Sequence, residues 1–76
     1  MAVQQLNRKT VAHVRFDGRS LDVPLVDLAI NEMSSDDEVK RAVARSLEVN
    51  ESRLRDYFVD RHESGNLTVR PAAVFG

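Results

Sequence analysis

From Thr10 the chain alternates, with Ala12, Val14 and Phe16 on one side and His13 and Arg15 on the other. Period two with β-branched and aromatic residues predicts a half-buried strand. Asp17-Gly18 follows, a dipeptide suited to the positive φ angles of a tight hairpin turn, and Leu21, Val23 and Leu25 then alternate with Asp22 and Pro24. The reading is strand, turn, strand. Pro24 cannot donate to a ladder, so the second strand ends there or lies at the sheet edge. Leu25 to Ile30 is apolar except for Asp27 and reads as a connecting or helical turn that covers the sheet.

A helix is predicted next. Ser34 or Ser35 can cap it, Ser35 and Glu38 have capping-box spacing, and Asp36, Asp37 and Glu38 put negative charge where free backbone N–H groups point. Val39, Ala42, Val43 and Leu47 form its apolar stripe, opposite Lys40, Arg41 and Arg45. Asn50 suggests a second helix start, with Leu54, Tyr57 and Phe58 as its buried stripe, running to about Asp60. Ser64-Gly65-Asn66 is a turn cluster, after which Leu67 to Arg70 alternate as a strand that Pro71 stops. A competing reading makes Phe58 to Asp60 a strand that hairpins onto Leu67 to Val69.

The fold class is therefore α+β, a small mixed sheet packed by one or two helices. The order is β-β-α-α-β, or β-β-α-β-β under the competing reading. Residues 1–9 are expected to be a flexible segment and residues 10–76 a single domain.

Composition narrows the function classes. A chain of 76 residues has room for one core, and 42% hydrophobic residues with 3 Gly and 2 Pro are those of a folding domain. Without cysteine there is no disulfide framework, thiolate zinc site or thiol nucleophile, so the cytoplasm is the expected location. No stretch has the length of a membrane span. The net charge of −1 hides a basic start, with Arg8, Lys9, Arg15 and Arg19, and an acidic middle. Nucleic-acid binding normally needs a basic stripe, which this balance does not supply.

Catalytic chemistry finds little support. His13 and His62 have no metal-ligand spacing, and each reads as a surface residue of a strand or turn. Asp36, Asp37 and Glu38 are explained by helix capping, the glycines are isolated, and no serine has a nucleophile context. No cofactor is expected. Residues 39–58 do carry the spacing of a helix-turn-helix, with Asn50 capping a second helix that displays Arg53 and Arg55 to DNA. Glu48 stands where such turns usually carry Gly.

The segments Phe16 to Leu25 and Asp60 to Gly76 resemble those of a small family of short, uncharacterised, chiefly cyanobacterial proteins. In size and element order the chain is also loosely similar to the ubiquitin-like β-grasp group. That similarity implies a hairpin, a helix and later strands, with a chain end that can carry function. Carriers and modifiers of the group end in Gly-Gly, activated at the terminal carboxylate; here Phe75 precedes Gly76.

The expected role is a non-catalytic protein-interaction module, with a protein partner or a homodimer completing a small core through a strand edge or the Val74-Phe75 end. Arg61, His62 and Arg70 are the candidate polar contacts around an apolar anchor formed by Val74 and Phe75. DNA binding through Arg53 and Arg55, and a carrier role through the C-terminus, are the alternatives.

Overall fold

A computed structural model gives the fold and describes residues 10–72. Strands β1 (Val11–Phe16) and β2 (Arg19–Pro24) form the antiparallel hairpin that the alternation predicts. Asp17 and Gly18 both take positive φ, 55° and 76°, as the tight hairpin turn requires. A 3₁₀ turn, Leu25–Leu28, then buries Leu25 and Leu28 under the sheet. Helix α1 (Asp36–Leu47) starts with the full capping box: Glu38 N–H donates to Ser35 Oγ, and Ser35 N–H donates to Glu38 Oε1. Strands β3 (Tyr57–Arg61) and β4 (Leu67–Pro71) complete the sheet.

The sheet order is β2-β1-β4-β3. β1 pairs parallel with β4 at the centre, and both outer pairs are antiparallel. This is an α+β domain with a four-stranded mixed sheet and one helix. Ala12 and Val14 of β1 and Leu67 and Val69 of β4 meet Val39, Ala42, Val43 and Ala44 of α1 in one apolar core, which Leu25, Leu28 and Leu54 close at its ends. Every buried residue among those described is apolar, so burial here strands no unpaired polar group. No described helix is long and apolar enough to cross a membrane.

The second helix expected from Asn50 to about Asp60 is not formed. Asn50 does cap, its Oδ1 accepting the Ser52 N–H at 2.9 Å, but the turn it starts is a four-residue 3₁₀ segment, Glu51–Leu54. From Tyr57 the chain is strand, so the order is β-β-α-β-β. Two solutions fit the same apolar positions. A helix would bury Leu54, Tyr57 and Phe58 on one stripe, whereas the strand sends Tyr57 and Val59 to the core and leaves Phe58 half exposed. The sheet wins because Tyr57 to Arg61 can pair with β4 along its full length. The expectation for residues 1–9 lies outside the described residues.

Candidate functional site

Helix α1 covers one face of the sheet, and no described element packs on the other. Period two sorts the residues of that open face, and the strand registers set them in rows. One row runs Asp22, His13, Thr68, Asp60 from β2 to β3. The next runs Ser20, Arg15, Arg70, Phe58, with Arg15 beside Arg70 by continuation of the β1–β4 register. The outcome is a charged face with one aromatic ring near its β3 border.

Short contacts hold the rows. Asp60 Oδ2 accepts from Arg70 Nε at 2.6 Å, and the same guanidinium lies over the Phe58 ring at 5.4 Å from its centroid. The hydrogen bond from Arg70 holds the Asp60 carboxyl below the usual carboxylate range; partial burial opposes this, and the charges of Arg70 and His62 reinforce it. His62 Nε2 and Thr68 Oγ1 are 2.8 Å apart, and His13 Nδ1 and Asp22 Oδ1 are 2.6 Å apart. The Arg15 side chain has no hydrogen bond or ion pair among the described residues.

This arrangement predicts a pH signature. Since the folded pKa of Asp60 is depressed, its pairing with Arg70 stabilises the fold above the ordinary carboxylate pKa and is lost as pH falls through the depressed value. Arg70→Gln is therefore expected to move the Asp60 titration up toward the ordinary value of 3.8. The stability gap between variant and parent should shrink in acid. Carboxyl-detected NMR titration with melting curves at neutral and acid pH checks both, and an unmoved Asp60 would contradict the pairing.

The predicted contact residues divide. His62 and Arg70 belong to the open face. Arg61 turns to the helix side, where Nη1 donates to the Glu32 carbonyl at 3.1 Å and Nη2 to the Ser34 carbonyl at 2.8 Å and Asp36 Oδ1 at 2.6 Å. It fastens the loop before α1 to the end of β3, and it does not rim Phe58. Val74 and Phe75, and with them the carrier reading, lie outside the described residues.

The helix-turn-helix loses the helix that would enter a groove. Arg53 sits in the 3₁₀ turn with its guanidinium 5.0 Å from the Phe16 centroid and 3.7 Å from Asp17 Oδ1. Phe16 in turn packs on Tyr57 with centroids 6.0 Å apart, and burial there raises the Tyr57 pKa, with Asp17 adding to the shift and Arg53 opposing it. Arg55 follows the turn in a polar groove shared with Asp37, Lys40, Arg41 and Glu51, where its carbonyl accepts from Lys40 Nζ at 3.1 Å. Acids and bases alternate in that groove, so it offers no continuous basic stripe.

The sequence reading missed Phe58, because a helical stripe buries it. The available signal was its alternation with Tyr57 and Val59, which as a strand puts Phe58 beside Asp60 on the polar side. No group of three or more His, Cys, Asp or Glu among the described residues could hold a metal ion. No family model matches the chain, and no curated protein or solved structure is significantly similar to it. What the chain is, on its own geometry, is a small α+β domain with one uncovered sheet face.

Proposed function

We propose that the protein is a non-catalytic protein-interaction module of β-grasp type that docks a partner on the open sheet face around Phe58 and Arg70. The observation that carries this reading is Phe58, 50% exposed on a strand and braced by the Arg70 guanidinium. An aromatic ring held in one place by a cation loses little freedom on binding, which is the usual composition of an interface anchor. Arg15, beside Arg70 and without a partner of its own, offers a cation to an acidic group next to that anchor. The topology supports the β-grasp description: a hairpin, a crossing helix, and a later strand parallel to β1 at the sheet centre.

Affinity capture with the tagged protein, followed by mass spectrometry, tests the reading. Phe58→Ala is expected to weaken capture of the partner by roughly thirtyfold, the size of an anchor residue's contribution. Met33→Ala, at an 87% exposed apolar residue in the loop before α1 that Arg61 holds on the helix side, is expected to leave it intact. Equal capture by both variants would remove the open face as the docking site.

A further inference from the structure

Strand β3 is an edge of the sheet, and its backbone is turned for pairing. His62 N–H donates to the Asn66 carbonyl at 3.0 Å, so in the antiparallel pattern Phe58 and Asp60 also direct N–H and C=O toward β4. Tyr57, Val59 and Arg61 then direct theirs away from the sheet, where no described residue meets them. The opposite edge differs. Leu25 N–H donates to the Thr10 carbonyl, which by the same alternation leaves Ser20, Asp22 and Pro24 of β2 facing outward, and Pro24 has no N–H to give. One edge is blunted and the other is open.

The charges around β3 select an occupant. Residues 55–63 read Arg, Asp, Tyr, Phe, Val, Asp, Arg, His, Glu, in which Arg55 and Glu63, four positions either side of Val59, carry opposite charges and no mirror pair carries like charges. Laid antiparallel against itself with Val59 on Val59, the segment sets Tyr57 opposite Arg61 and Phe58 opposite Asp60 of the second copy. Beyond the ladder the chain turns at both ends, Arg55 being helical in backbone, and the same count sets Asp56 on the side of His62 and Arg55 on the side of Glu63 of the second copy. In that register the outward-facing residues Tyr57, Val59 and Arg61 meet one another, as hydrogen-bonded pairs must. A shift that centres the pair on Phe58 sets Asp56 against Asp60 and Arg55 against Arg61, which like charges disfavour. Backbone direction allows both registers, since centring on Phe58 also pairs outward-facing Tyr57 with Val59, and charge favours the one centred on Val59.

We infer that a second copy of this chain pairs antiparallel across β3, centred on Val59, to form a continuous eight-stranded sheet. The inference stands apart from docking on the open face, since it rests on the strand edge and on Arg55 and Glu63. Neither side chain has a hydrogen bond or ion pair among the described residues, so both are available to the second copy. A five-residue ladder is a small interface, and the dimer is a weak one that loosens as salt screens its charges.

Sedimentation equilibrium and NMR relaxation over a concentration series up to ~1 mM test it, that being the range in which weak association is read. The protein is expected to dimerise there. Arg55→Glu and Glu63→Arg should each weaken dimerisation about tenfold, because the two-fold axis counts every pair twice. Mixing the two variants should restore association, since each then meets opposite charges at both ends of the ladder. The double variant should self-associate like the parent. Monomeric tumbling at every concentration, single variants without effect, or no recovery on mixing overturns the proposal. A Phe58→Ala variant that dimerises but captures no partner separates it from the docking reading.

Discussion

Leu54→Ala is expected to lower the midpoint of thermal unfolding by about 10 °C or more. Leu54 is fully buried at the end of the 3₁₀ turn after α1, within the core shared by helix and sheet. Truncating such a leucine removes its transfer energy and leaves a cavity, together costing about 2–5 kcal/mol. A domain of this size has a total of roughly 5 kcal/mol or a little more to lose, and each kcal/mol moves the midpoint by about 4–8 °C. Urea unfolding followed by circular dichroism gives the free energy directly. Met33→Ala is the surface control, expected to stay within about 0.5 kcal/mol of the parent. A shift no larger than the control's would mean that the 3₁₀ turn collapses onto the space, and that Leu54 does not link α1 to the sheet.

Gly65→Ala is expected to be the most damaging change in a turn. Gly65 has φ +97°, and a Cβ there would lie 2.9 Å from Thr10 Cγ2 and 3.1 Å from Glu32 Oε1. The substitution thus combines an unfavourable backbone region with a collision, of which the first alone costs about 1–3 kcal/mol. Gly18 separates the two effects. Its φ is +76°, but a Cβ there meets nothing within 4 Å, so Gly18→Ala carries the backbone cost alone. The prediction is that Gly65→Ala destabilises more than Gly18→Ala by about 1 kcal/mol or more, the scale of forced overpacking. Equal losses in denaturant titrations would show that Thr10 and Glu32 yield freely.

The difference between these glycines marks what the chain discloses by itself. Asp17-Gly18 is local: two residues and their φ preferences define the hairpin turn, and it is legible from the sequence. So is α1, whose Ser35–Glu38 box and apolar stripe are satisfied within a few positions. Gly65 reads as a turn residue, but the side chains that crowd it come from far away in sequence. The same holds for Arg61, whose three acceptors lie 25 to 29 positions earlier; as a surface arginine near a turn it gave no sign of binding the loop before α1. At Leu54, Tyr57 and Phe58 the sequence leaves helix and strand both open for a related reason, and the structure has the strand. Helical spacing and a turn followed by a strand place Leu54 and Tyr57 inward alike, and only pairing with β4 decides where Phe58 goes. Of the open-face residues, the sequence singles out His62 and Arg70, but as contacts around a turn beside Val74 and Phe75; Arg15, Asp60 and Phe58 depend on register.

β4 is the last of the described strands in sequence and an inner strand in space. The contacts that seat it reach back across the chain; Val11 N–H donates to Asn66 Oδ1 over 55 positions. During synthesis, then, the hairpin and α1 emerge first with no strand to fill the place beside β1, and the apolar side of the helix has only half its floor. Closing so long a loop is an entropic cost met only when β4 arrives. The nascent chain is thus expected to remain open to proteases and chaperones until Leu67 to Pro71 have cleared the ribosome, and then to fold in a single step. A chain interrupted before Leu67 would not be a smaller version of the domain, because it would lack the strand on which both halves of the sheet are assembled.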